Sequence, residues 1–142
     1  MTDFADPAAV QAALDASPFQ HGLGLRLDAL EPGGGIVIAL GWHAGLGRQA
    51  DEGQMHGGAL AALIDIAGCY AVARALGWFP PTVDLRIDYL RPAMGGVRAA
   101  AHALRVGRTL AVADAIVTDA EGRAVAAGRG TFLTRARGAR IP

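Results

Sequence analysis

The sequence predicts an α+β fold in which one long central helix is wrapped by a curved antiparallel sheet of about six strands. Three observations carry this expectation. The stretch from Gly57 to Leu76 is apolar nearly all round, and such a helix must be covered on more than one side. Four strand-like segments follow it in succession, joined by turns too short for a crossover, so they are antiparallel neighbours. A further strand pair precedes the helix. A single sheet curved around the helix covers it and leaves apolar surface for a second subunit.

The elements follow in order. Pro7 to Ala16 reads as a short helix, capped by Asp6, with Pro7 in its first turn and Val10, Ala13 and Leu14 on one face. Leu23 to Leu30 and Ile36 to Leu40 read as a strand pair turned at Glu31-Pro32-Gly33-Gly34-Gly35. Arg48 to Gln54 is a polar loop leading into the long helix, which Gly77-Trp78-Phe79-Pro80-Pro81 stops. Val83, Leu85, Ile87 and Tyr89 then alternate with Asp84, Arg86 and Asp88, a strand with one solvated face. Val97 to Val106, Leu110 to Asp119 and Arg123 to Thr134 are three more strands, turned at Gly107-Arg108-Thr109 and Ala120-Glu121-Gly122. A frayed tail is expected from Arg135 to Pro142.

Composition narrows the function. The chain of 142 residues reads as one domain over 1–142, 52% hydrophobic and only 18% charged. Thirteen basic residues, all Arg, balance thirteen acidic ones. No field-driven affinity for nucleic acid follows from such a balance. The lone Cys69 cannot form an internal disulfide and suits a reducing compartment. The acidic N-terminus carries no signal sequence, so a cytoplasmic location is expected. Gly57 to Leu76 is long enough to span a membrane. Asp65 near its centre and Arg74 near its end favour a buried core helix instead, so no membrane partner is expected. His21, His43 and His102 are scattered and form no metal-ligand set, and no metal is expected.

The most informative stretch is Met55-His56-Gly57-Gly58 followed by a helix bearing Asp65. At about 100° per residue Asp65 shares its stripe with Gly58, Ala61, Ala62, Gly68, Cys69 and Val72. That lane of small side chains is either a slot for a substrate or a close helix–sheet contact with Asp65 paired to an Arg. Gly57 and Gly58 offer helix-start N–H groups that lack internal partners. The helix dipole favours negative charge there, so the turn suits a polarised carbonyl oxygen. Cys69 reads as a small buried residue rather than a nucleophile.

At these residues the chain resembles the hotdog-fold acyl-CoA thioesterases, in the branch of phenylacetate-pathway and 4-hydroxybenzoyl-CoA thioesterases. The resemblance runs from about Gly22 to Leu133. It rests on Gly53-Gln54-Met55-His56-Gly57-Gly58, Asp65, Thr82-Val83-Asp84-Leu85, Tyr89-Leu90-Arg91-Pro92, Val106-Gly107-Arg108-Thr109-Leu110 and Gly128-Arg129-Gly130-Thr131-Phe132. It implies that Asp65 is the catalytic acid, as nucleophile or general base, and that the Gly57 N–H polarises the thioester carbonyl. It implies that His56 shapes the turn and that Thr82 holds the water or Asp65. Arg91, Arg108 and Arg129 match positions that meet the nucleotide part of coenzyme A, which enters only as part of the substrate, with no separate cofactor. The family's Asn or Gln six residues before the His is Ala50 here. Gln49 beside it and Gln54 nearer the turn are the candidate substitutes, and with Gly58 and Cys69 they complete the expected substrate contacts.

Gly57 and Asp65 are eight residues apart, about 12 Å along a helix at ~1.5 Å per residue. A reacting carbonyl should sit about 3 Å from both oxyanion donor and attacking group. One helix hardly satisfies both, so a composite site is expected, with Gly57 from one subunit and Asp65 from its two-fold mate. The assembly is then a homodimer or a dimer of dimers. The leading expectation is hydrolysis of an aryl- or medium-chain acyl-CoA. A non-catalytic acyl-CoA binding or sensing protein is the alternative. A hydratase or dehydratase would need a His–carboxylate arrangement that is not found.

Overall fold

The computed structural model describes residues 1–135. Helix α1 spans Pro7–Ala16 and α2 spans Pro18–Leu23. Strands β1 (Leu25–Leu30) and β2 (Ile36–Leu40) come next, then the long helix α3 (Gly57–Leu76). Strands β3 (Thr82–Tyr89), β4 (Val97–Val106), β5 (Leu110–Thr118) and β6 (Ala124–Leu133) complete the chain. All six strands form one antiparallel sheet in the order β1-β2-β4-β5-β6-β3, and α3 packs along its inner face. The predicted α+β layout with a central helix in a six-stranded wrap is therefore the observed one.

The inner face explains how the helix comes so close. Ala99, Ala101, Ala111, Ala113, Ala115 and Ala126 are buried there, together with Gly130. Against this floor α3 presents Leu60, Leu63, Ile64, Ala67 and Ala71, all buried. A Cβ on Gly128 would stand 2.5 Å from Ile64 Cγ2, so glycine is what admits that isoleucine. The helix of membrane-spanning length is thus the core helix of the sheet.

Three expectations need correction. Leu23 does not begin a strand. Pro18 and the Ser17 cap start the short α2, and Gly24, with φ of 74°, ends it in the left-handed region before β1 opens at Leu25. The last two strands are shorter than expected, because Asp119 leaves β5 to build the turn. Burial works to raise the Asp119 pKa, but N–H and guanidinium hydrogen bonds from Arg123 and the Glu121 N–H outweigh it and hold the carboxyl below its usual range. The tail beyond Arg135 lies outside the described residues.

The third correction concerns β3, which is not a neighbour of β4 as four successive antiparallel strands would have it. Strand β3 pairs with β6 at the edge of the sheet, and the 90–96 segment carries the chain across so that β4 lies between β2 and β5. Leu85 and Ile87 are half-buried toward α3, while Val83 and Tyr89 are exposed. Pairing with β6 slips between Thr82 and Asp84, leaving Val83 as a bulge. A bulge re-aims a side chain by one face. Thr82, which strict alternation would put beside Asp84 on the solvated face, turns instead toward α3.

Candidate active site

His56 is the N-cap of α3, and its Nδ1 accepts a hydrogen bond from the Gly58 N–H at 2.8 Å. The ring proton therefore belongs on Nε2. The Ala59 N–H is bonded back to the His56 carbonyl at 3.0 Å. Of the first three helix N–H groups, two are thus occupied, and among the described residues only that of Gly57 has no acceptor. The turn narrows a general anion site to one donor, reinforced by the positive end of the helix dipole.

That donor borders a cavity of about 500 Å³ lined by Gln54, Met55, His56, Gly57, Gly58 and Leu60 from one side. Tyr89, Leu90, Arg91, Pro92 and Ala93 close the other side. The approach loop is tied down by hydrogen bonds from Met55 N–H to the Ala93 carbonyl and from His56 N–H to the Leu46 carbonyl, at 2.8 and 2.7 Å. Polar contact and apolar lining at one helix start suit an acyl group whose carbonyl must be polarised.

Asp65 is half-buried on the lane of α3 that also carries Ala61, Ala62 and Cys69, each half-buried, and the exposed Gly58. Its partner is a hydroxyl: Thr82 Oγ1 donates to Asp65 Oδ1 at 2.7 Å. The structural alternative, an Asp–Arg pair, is not what the structure shows. Gly68 and Val72 leave the lane, buried beside Phe132. Asp65 and Thr82 do not line the cavity at Gly57, in keeping with the ~12 Å helical separation. Cys69 donates to the Pro80 carbonyl at 3.4 Å. Burial, and then the charge of Asp65, push its thiol up to about 12, far from a thiolate nucleophile at neutral pH.

The remaining predicted residues divide. Gln54 and Arg91 reach the cavity; Arg91 also donates to the Ala124 carbonyl at 2.7 Å. Gln49 and Ala50 are exposed on the preceding loop and do not line it. Arg108 is exposed in the β4–β5 turn. Arg129 lies on the outer sheet face, away from α3, in a two-pronged pair with Asp114 at 2.6 and 2.9 Å. That hydrogen-bonded pair holds the Asp114 carboxyl below its ordinary range. Among the described residues, no three His, Cys, Asp or Glu side chains gather as a metal site. The sequence assigned no role to Tyr89, Leu90, Pro92 or Ala93 beside Arg91, because nothing in strand alternation shows which residues will overhang a helix start.

The model of the thioesterase superfamily matches residues 52–126, from the approach loop to the middle of the sheet. A Halobacterium salinarum protein, provisionally named an esterase, is 39% identical over 93% of this chain and 96% of its own length. A solved protein from the thioesterase superfamily is 38% identical with a TM-score of 0.81, over 88% of this chain and 95% of that one. The E. coli PaaI protein of the phenylacetic acid degradation operon shares the fold, with a TM-score of 0.76 at 23% identity over 94% of this chain and 91% of its own. The chain belongs to the thioesterase superfamily and has its hotdog fold.

Proposed function

We propose that the protein hydrolyses an aryl- or medium-chain acyl-CoA to the free acid and coenzyme A. One observation carries the reading: a single helix bears one free N–H at its start and a solvent-reachable carboxylate, held by a hydroxyl, two turns on. In this mechanism the Gly57 N–H donates to the oxygen that becomes negative as the thioester carbonyl is attacked. A donor of this kind is worth ~2.7–4 kcal/mol. Thr82 fixes one oxygen of Asp65. The other is left to attack the carbonyl carbon or to take the proton of an attacking water. The C–S bond breaks, and the departing thiolate takes up a proton as coenzyme A leaves. Where Asp65 itself attacks, the acyl group is left on its carboxylate as a mixed anhydride, which water then hydrolyses to the free acid.

The ~12 Å helical separation supports two composite sites per homodimer, each with Gly57 from one chain and Asp65 from the other. A dimer of dimers is the larger assembly we infer. The cavity size falls within the ~300–1,000 Å³ of small-molecule pockets, and Met55, Leu60, Leu90 and Pro92 give it apolar walls for an acyl group. Gln54 is the amide placed to meet the thioester, and Arg91 the cation placed to meet coenzyme A. No cofactor enters the scheme, and the cytoplasm is the proposed location.

The test is hydrolysis of a panel of aryl and straight-chain acyl-CoA thioesters by wild type and Asp65→Asn. Wild-type turnover that falls about 10²–10⁴-fold in the folded variant supports the reading. Turnover that survives the substitution sinks it. Ala50 and the outlying Gln49 favour a second reading, an acyl-CoA sensor, which would show binding to wild type with no turnover.

A further inference from the structure

The edge strand β3 is fastened to α3 at both chemically interesting points. Its first residue, Thr82, holds Asp65; its last, Tyr89, reaches over the helix start. The Tyr89 hydroxyl donates to the Gly57 carbonyl at 3.0 Å. Its ring also covers Gly57: a Cβ there would stand 3.2 Å from Tyr89 Cε1 and 3.3 Å from Cζ. Both residues border the same cavity.

This contact solves a problem that the turn itself creates. An oxyanion donor must keep its direction before substrate arrives, since preorganisation is what makes such a donor effective. Glycine is the residue least able to hold a direction by itself. His56 fixes the following peptide by occupying the Gly58 N–H. Tyr89 grips the other end of that same peptide, through the Gly57 carbonyl, and lays its ring against the α-carbon face. The bond from the Ala59 N–H to the His56 carbonyl holds the peptide that carries the Gly57 N–H. Between them the Gly57 N–H is left free and pointed. We propose that Tyr89 is a positioning residue for the Gly57 oxyanion donor. The proposal rests on the thioesterase reading of the site. Tyr89 acts through Gly57 and takes no part in bond making.

Tyr89→Phe is the decisive variant, because it keeps the ring and removes only the hydroxyl. Two readouts are taken: steady-state hydrolysis of the best acyl-CoA of the panel, and the NMR signals of Gly57 in the ligand-free protein. The expected result is kcat lowered about five- to tenfold with KM within about twofold, the pattern of an interaction felt only in the transition state. The Gly57 carbonyl carbon should move upfield and its amide order parameter should fall. The melting temperature should stay within about 2 °C, as Tyr89 is an exposed residue. Tyr89→Leu, which also loses the ring contact, should lower kcat further. Unmoved Gly57 signals with wild-type kcat in Tyr89→Phe overturn the proposal, and so does a loss confined to KM or to stability. If wild type turns over no thioester yet the Gly57 signals respond, the thioesterase reading fails while the clamp on Gly57 stands.

Discussion

Thr82→Val isolates the contact that prepares Asp65. Valine keeps the branched shape that suits an edge strand and removes only the hydroxyl. The bond lost is short, 2.7 Å, and one partner is a carboxylate. Hydrogen bonds to charged groups contribute ~1.5–3 kcal/mol. Thr82 is exposed, so water replaces part of what is lost, and the lower end applies. About 1.5 kcal/mol corresponds to a little over tenfold in kcat/KM, at ~1.36 kcal/mol per decade. Thr82→Ser restores a hydroxyl and should stay within about threefold of wild type. The assay is release of free thiol from acyl-CoA, with the melting temperature as control. If Thr82→Val turned over within twofold of wild type, the hydroxyl would not be what readies Asp65.

Other perturbations test the frame and the surroundings of the site. Gly128→Ala drives a methyl group against Ile64 and the Arg86 carbonyl, 2.5 and 3.0 Å from its Cβ, and should cost about 1–3 kcal/mol in urea unfolding. Arg91→Ala removes a cation at the cavity and should raise KM for acyl-CoA about two- to fivefold, whereas Arg129→Ala breaks only the outer-face pair with Asp114 and should leave KM within twofold. Equal effects from both would contradict the placement. Cys69 should resist thiol reagents at pH 8 in the native protein and react fully once it is unfolded. Burial first and Asp65 second raise its folded pKa from 9.0 to about 12. The folded state therefore keeps a proton that the unfolded chain releases, and this contribution to stability is present below about pH 9 and lost as pH rises toward 12. Rapid labelling of the native protein would show that Cys69 is open.

The elements legible in the sequence were those with a strong period or a strong stop. The apolar run from Gly57 to Leu76, with the Gly77 stop, fixed the helix, and Gly77 does cap it with φ of 80°. The alternation in β4, β5 and β6 reflects one face pressed on that helix and one left to water. Helix α2 was hidden because Pro18 to Leu23 is a single turn and a half held by its caps, with no buried residue to give it a period. His56, Gly57 and Asp65 were visible because glycines and a carboxylate are conspicuous in an apolar run. Their partners were not. Strand alternation alone does not give them. Thr82 was named only through the family resemblance, because its turn toward Asp65 depends on a bulge. Tyr89 depends on the angle at which an edge strand crosses a helix start, and the Arg129–Asp114 pair on register across β5 and β6. Each is a long-range fact that short-range pattern does not encode.

The central claim is that Gly57 of one chain and Asp65 of another act on the same carbonyl. Two inactive variants test it together. Asp65→Asn removes the carboxylate. Gly57→Pro removes the N–H at a first-turn position that tolerates proline, and His56, at φ of −64° and ψ of 139°, already has the backbone a residue before proline needs. The new Cβ would stand 3.2 Å from Tyr89 Cε1, so Tyr89 must yield a few tenths of an ångström to it. The two are mixed in equal amounts, unfolded and refolded together, and assayed for acyl-CoA hydrolysis. Random pairing makes half the dimers hybrid, and each hybrid holds one site with both groups intact, so about a quarter of wild-type activity should return. No recovery in refolded hybrid dimers would contradict the shared site.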